Sequence, residues 1–128
     1  MPKEIIVTEN APKALGPYSA GVRMGNFIFT AGQLGINPLT GEFDSRDIGD
    51  QTRQAMKNLK AILEAAGASM EQVVKTTVFL RDMNDFSAMN AVYAEFFTRD
   101  YPARSTVQVA RLPKDAAVEI EAVAMVDD

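Results

Sequence analysis

From residue 73 to residue 111 the sequence runs strand, helix, strand, and that order restricts the fold more than any other feature of the chain. Val73–Leu80 is rich in β-branched residues and bounded by polar ones, as a well-buried strand is. Asn84 or Asp85 then opens a helix whose Phe86, Met89, Val92, Tyr93, Phe96 and Phe97 form one broad apolar stripe, ending before Pro102. Ser105–Arg111 reads as a strand again. A helix placed between two strands predicts a parallel crossover, with the helix lying across the sheet.

The rest of the chain builds around that unit. Residues 4–8 and 20–24 read as short strands and Phe27–Leu34 as a longer one, with a turn at Gly25-Asn26. Between the first two lies a Pro- and Gly-rich loop, residues 10–18, that ends on Tyr18; such loops often line sites. Pro38–Gly41 is a turn, and Asp47 or Asp50 caps a helix with apolar residues Ala55, Met56, Leu59, Ile62, Leu63 and Ala66 at spacings of three and four. Gly67 stands where a left-handed cap is expected, and Ser69 with Gln72 forms a capping box for one extra turn. After a turn at Leu112–Asp115, the last strand, Val118–Val126, puts Val118, Ile120, Ala122, Ala124 and Val126 on one face and Glu119, Glu121, Val123 and Met125 on the other. The predicted order is β-β-β-α-β-α-β-β, a single α+β domain over residues 1–128, with a mixed sheet and two helices on one face. Enough apolar side chains remain on the other face for packing against another copy of the chain to be the simplest cover.

Composition narrows the chemistry. With no cysteine and no histidine, the chain has neither thiolate nucleophile nor imidazole base, and lacks the commonest metal ligands. Carboxylates, Tyr, Lys, Arg, hydroxyls and backbone groups must do the work, and no metal is expected. A net charge of −4 with scattered Lys and Arg disfavours nucleic acid as a partner. Apolar runs of a few residues cannot span a bilayer, and the N-terminus lacks the apolar core of a secretory signal, so a cytoplasmic protein with no membrane partner is expected.

Two charged residues stand out. Arg104, at the mouth of a strand, can grip a carboxylate with two parallel hydrogen bonds, although a lone arginine there is more often a surface ion pair. Glu119 interrupts a strongly apolar strand and either faces solvent with Glu121 or orients and activates a water. Were their strands a plain hairpin, the two would lie about 16 Å apart, so another strand must separate them or a second subunit must complete the site. Tyr18, Thr30 and Thr106 offer hydroxyls that are equally explained by packing and β-propensity. Gly32, inside a strand pattern, indicates a close backbone approach by a ligand or a bulge.

The run Pro102-Ala103-Arg104-Ser105-Thr106, continued by Arg111-Leu112-Pro113-Lys114-Asp115 and Glu119-Ile120-Glu121, resembles the signature of the RidA/YjgF family. Gly16-Pro17-Tyr18-Ser19, Thr30-Ala31-Gly32-Gln33, Asn58-Leu59, Ala65-Ala66-Gly67, Val74–Phe79, Asn84-Asp85-Phe86 and Asn90 extend the resemblance over nearly the whole chain. It implies a chorismate-mutase-like fold, a homotrimer with clefts between subunits, and hydrolytic deamination of 2-aminoacrylate or 2-iminopropanoate to pyruvate and ammonia without a cofactor. Arg104 would then bind the substrate carboxylate, Gly32 help fix it, Tyr18 close the pocket, Glu119 position water and Asn90 support the cleft. Many relatives have Cys where this chain has Thr106, so no thiol role carries over. The imine chemistry does not need one, because an imine is already electrophilic and requires mainly orientation and a placed water. Two alternatives remain: a regulatory module that binds 2-ketoacids without turnover, and a holdase-type chaperone. Some relatives are described as ribonucleases, a role that acidic charge and absent histidine oppose.

Overall fold

Gly25, at φ 60°, makes the tight turn at Gly25-Asn26 that only a left-handed residue closes cleanly. It joins β2 (Gly21–Met24) to β3 (Phe27–Thr30), with Met24 opposite Phe27. β1 (Glu4–Ile6) adds antiparallel to β2. The structure is a computed structural model that describes residues 2–127, so both end residues of the expected domain lie outside the described residues.

The expected strand Phe27–Leu34 is divided. β3 stops at Thr30, and β4 (Gln33–Leu34) resumes after Ala31-Gly32. Both pair with β7 (Val118–Met125), Phe29 opposite Val123 and Gln33 opposite Ile120. Four steps along one chain match three along the other, so one extra residue is accommodated as a bulge, and the face presented by each side chain flips beyond it. Gln33 therefore turns inward, 6% exposed, while Leu34 sits beside Glu119.

β5 (Val73–Leu80) pairs antiparallel with β7 and parallel with β6 (Ala103–Gln108) through α2 (Phe86–Ala94), the predicted crossover. The sheet order is β1-β2-β3-β7-β5-β6, with β4 beside β7. β6 begins two residues before the predicted Ser105 and ends at Gln108. Helix α2 ends at Ala94, although Phe96 and Phe97 still pack against the core. α1 (Ile48–Ala65) is capped by Asp47, whose carboxylate accepts the Asp50 N–H at 3.0 Å, and Gly67 turns the chain at φ 89°.

Both helices cover one face. Met56, Leu59, Ile62 and Leu63 of α1 and Met89 of α2 meet Ile28, Val78, Leu80 and Ile120 of the sheet with no exposure at all. On the opposite face Phe27, Phe29, Val107 and Met125 stay 43–47% exposed. No helix among the described residues is long and apolar enough to cross a membrane.

Candidate active site

The register of β6 decides where Arg104 points. It lies opposite Thr76, which is buried under the helices, so Arg104 also faces the helical side. Its guanidinium carbon sits 4.8 Å from the Tyr93 ring centroid and 5.5 Å from that of Phe86, both on α2. Arg104 forms no ion pair among the described residues. A guanidinium held against aromatic faces with no carboxylate partner keeps its two-pronged donor edge for an incoming anion. Arg104, Asn90, Tyr101 and Pro102 line a cavity of about 390 Å³ with Tyr93. Thr106 lies two residues further along the same face, and its Oγ1 is buried without a hydrogen-bond partner.

The Tyr93 hydroxyl is 2.7 Å from Thr76 Oγ1. Burial pushes this phenol above its usual pKa, and the Thr76 hydrogen bond and the Arg104 charge offset part of that rise. It stays a neutral phenol, so it shapes the slot without acting as a base.

Glu119 occupies the other face of the sheet. Its strand neighbours Val118 and Ile120 are fully buried beneath the helices, so alternation turns Glu119 away from them. It has no ion-pair partner among the described residues. Burial raises the pKa of the half-buried carboxyl, and the Glu121 charge on the same face raises it further. Gly32 is the reason this carboxylate fits: a Cβ there would stand 2.8 Å from Glu119 Cδ, so any side chain would displace it. Of the two explanations the sequence offered for Gly32, the bulge is found, since Gly32 lies between β3 and β4, and the group that approaches its backbone closely here is Glu119. Tyr18, Gly32 and Glu119 line a cavity of about 570 Å³ with Leu34, Leu39 and Lys114. The Tyr18 hydroxyl accepts the Leu15 N–H at 3.3 Å. Thr30 is engaged elsewhere, its oxygen accepting the Ala122 N–H at 3.0 Å across the sheet.

The candidates thus divide into two groups, Arg104 with Asn90 and Thr106, and Glu119 with Tyr18 and Gly32. β5 does run between the strands of Arg104 and Glu119. Two strand spacings and three residues of stagger put them roughly 14 Å apart within one chain, on opposite faces. The sequence reading missed the aromatic slot: Tyr93 was visible as a member of the apolar stripe, and a buried phenol needs a polar partner, but the register that supplies Thr76 and Arg104 was not visible. Among the described residues no three acidic side chains gather as a metal cage requires.

Residues 8–126 match the family model described as Endoribonuclease L-PSP. The chain is 61% identical to a RutC family protein of Pyrococcus horikoshii, over 95% of this chain and 97% of that protein. It is 55% identical to the 2-iminobutanoate/2-iminopropanoate deaminase of Escherichia coli strain K12, over 94% of this chain and 95% of that enzyme. Among solved structures it superposes on E. coli TdcF with bound serine at a TM-score of 0.94 and 50% identity, covering 97% of this chain and 99% of that one. The E. coli YjgF gene product gives 0.93 at 54% identity, with the same coverage.

Proposed function

This chain belongs to the RidA/YjgF family, matched as Endoribonuclease L-PSP, and on that premise we propose that it is a cytoplasmic, homotrimeric imine deaminase with its sites in clefts between subunits. Its substrates are reactive enamines and imines of small 2-amino acids, 2-aminoacrylate and 2-iminopropanoate foremost, and its products are a 2-ketoacid and ammonia.

The observation that carries this reading is the Arg104 guanidinium, without an ion-pair partner among the described residues and seated on aromatic rings at a cavity. Such a group fits a small carboxylate-bearing ligand. Arg104 holds the carboxylate and Asn90 supports the cleft wall, with Thr106 beside them. Glu119 of a neighbouring copy, beside Gly32, takes a proton from water as the oxygen attacks the imine carbon, and the proton passes to nitrogen. The carbinolamine hydroxyl then gives its proton, by way of Glu119, to the amino nitrogen, the carbon–nitrogen bond breaks to release ammonia as the carbon–oxygen double bond forms, and Tyr18 closes the pocket. Thr30 contributes to binding by holding the wall beside Gly32. A carboxyl whose pKa is raised toward neutrality is suited to accept and return that proton. Placement on opposite faces supports a shared cleft, since no single copy brings Arg104 and Glu119 to one small molecule. The reaction calls on no metal or organic cofactor. Net charge −4 and the absence of histidine weigh against RNA as substrate.

The test generates 2-aminoacrylate with a serine dehydratase and follows pyruvate release with and without this protein. Wild type should accelerate release. Arg104→Ala should lower kcat/KM by roughly 10- to 150-fold, as expected when a charge-assisted contact is lost. Binding of 2-ketobutanoate without acceleration of any small imine would favour the regulatory module instead.

A further inference from the structure

We infer that Tyr93, tethered through its hydroxyl to Thr76, is a positioning residue that seats the Arg104 guanidinium and presents its donor edge to the cavity shared with Asn90 and Pro102. This inference rests on the reading of Arg104 as the carboxylate-binding group. Arginine has a long side chain, and no ion pair fixes this one among the described residues. What holds it is geometric. Thr76 and Arg104 are directly paired neighbours on one face of β5 and β6, and the Tyr93 hydroxyl reaches Thr76 Oγ1 at 2.7 Å. The ring so fixed lies 4.8 Å from the guanidinium carbon. Phe97 packs on the ring at 5.1 Å between centroids, leaving it little freedom to swing. A ring pinned at its hydroxyl and along its body is a preformed seat for a cation, so less side-chain freedom is lost when the carboxylate arrives.

The experiment measures binding of 2-ketobutanoate by calorimetry, with KM and kcat on the imine, for wild type, Arg104→Ala, Tyr93→Phe, Tyr93→Leu, Thr76→Val and a series carrying progressively fluorinated phenylalanines at position 93. Fluorination drains the ring face of negative charge while conserving shape, so the series remains decisive should Tyr93→Leu fail to fold. Kd should climb stepwise with fluorine number, and Tyr93→Leu should raise Kd and KM roughly tenfold. Tyr93→Phe and Thr76→Val, which keep the ring and loosen the tether, should raise Kd by about threefold, with kcat changing less than KM throughout. A flat Kd across the fluorinated series, with Arg104→Ala losing affinity, would overturn the role of Tyr93 alone. Full affinity in Arg104→Ala would overturn the functional reading beneath it.

Discussion

Glu119 carries a cost that depends on pH. Burial, then the nearby Glu121 charge, raises its pKa above the ordinary carboxylate value, so the folded chain holds this proton more tightly than the unfolded chain does. Stability therefore falls as pH rises from the ordinary value through the raised one, and the penalty is fully present above it. Glu119→Gln is expected to melt higher than wild type at neutral pH, with the advantage shrinking on acidification into the usual carboxylate range. Thermal unfolding followed from pH 4 to pH 8 checks this, and a difference that ignores pH would contradict it. On the proposed mechanism the same variant should also lose deaminase activity, because the amide cannot take a proton from water.

At the scale of elements, two buried amides of α1 brace the Glu119 cavity. Asn58 donates from Nδ2 to the Leu34 and Ile36 carbonyls at 3.0 and 2.9 Å, and its own oxygen accepts from Gln54. Gln51 accepts the Ala117 N–H at 2.8 Å, just ahead of β7. The Asn58 bonds tie the Leu34 and Ile36 carbonyls, at the end of β4 and just beyond it, to α1, and the Gln51 bond ties the approach to β7 to the same helix. Replacing Asn58 with Leu should strand both carbonyls and cost about 2 to 4 kcal/mol, read as a lower midpoint in chemical denaturation. A loss under about 0.5 kcal/mol would show that the segment holds itself. The division of Phe27–Leu34 belongs to the same scale. Gly32 marks a candidate bulge in the sequence, but only pairing with β7 shows that the run from 27 to 34 holds one extra residue.

At the scale of the molecule, the proposed assembly rests on the uncovered face of the sheet. Phe27 and Phe29 stack at 6.2 Å beside Met125, and water rarely faces so contiguous an apolar patch on a folded monomer. If the proposed shared cleft is right, Phe29→Asp is expected to shift the protein to monomers in sedimentation and to abolish activity, since one copy alone holds Arg104 and Glu119 on opposite faces of its sheet. A monomeric variant that keeps its activity would refute the shared site.

The order and type of the main elements were legible in the sequence because they follow from local periodicity. An apolar stripe at three-and-four spacing makes α1 and α2, alternation makes β7, and Asp47 and Gly67 punctuate their helix. Arg104, at the mouth of a strand, and Glu119, a charge set in an apolar strand, could be singled out there too. Their relation could not, because the partner of a strand is chosen by long-range packing. Only the tertiary structure put β5 between them, turned them to opposite faces, and brought Tyr93 and Thr76 to Arg104.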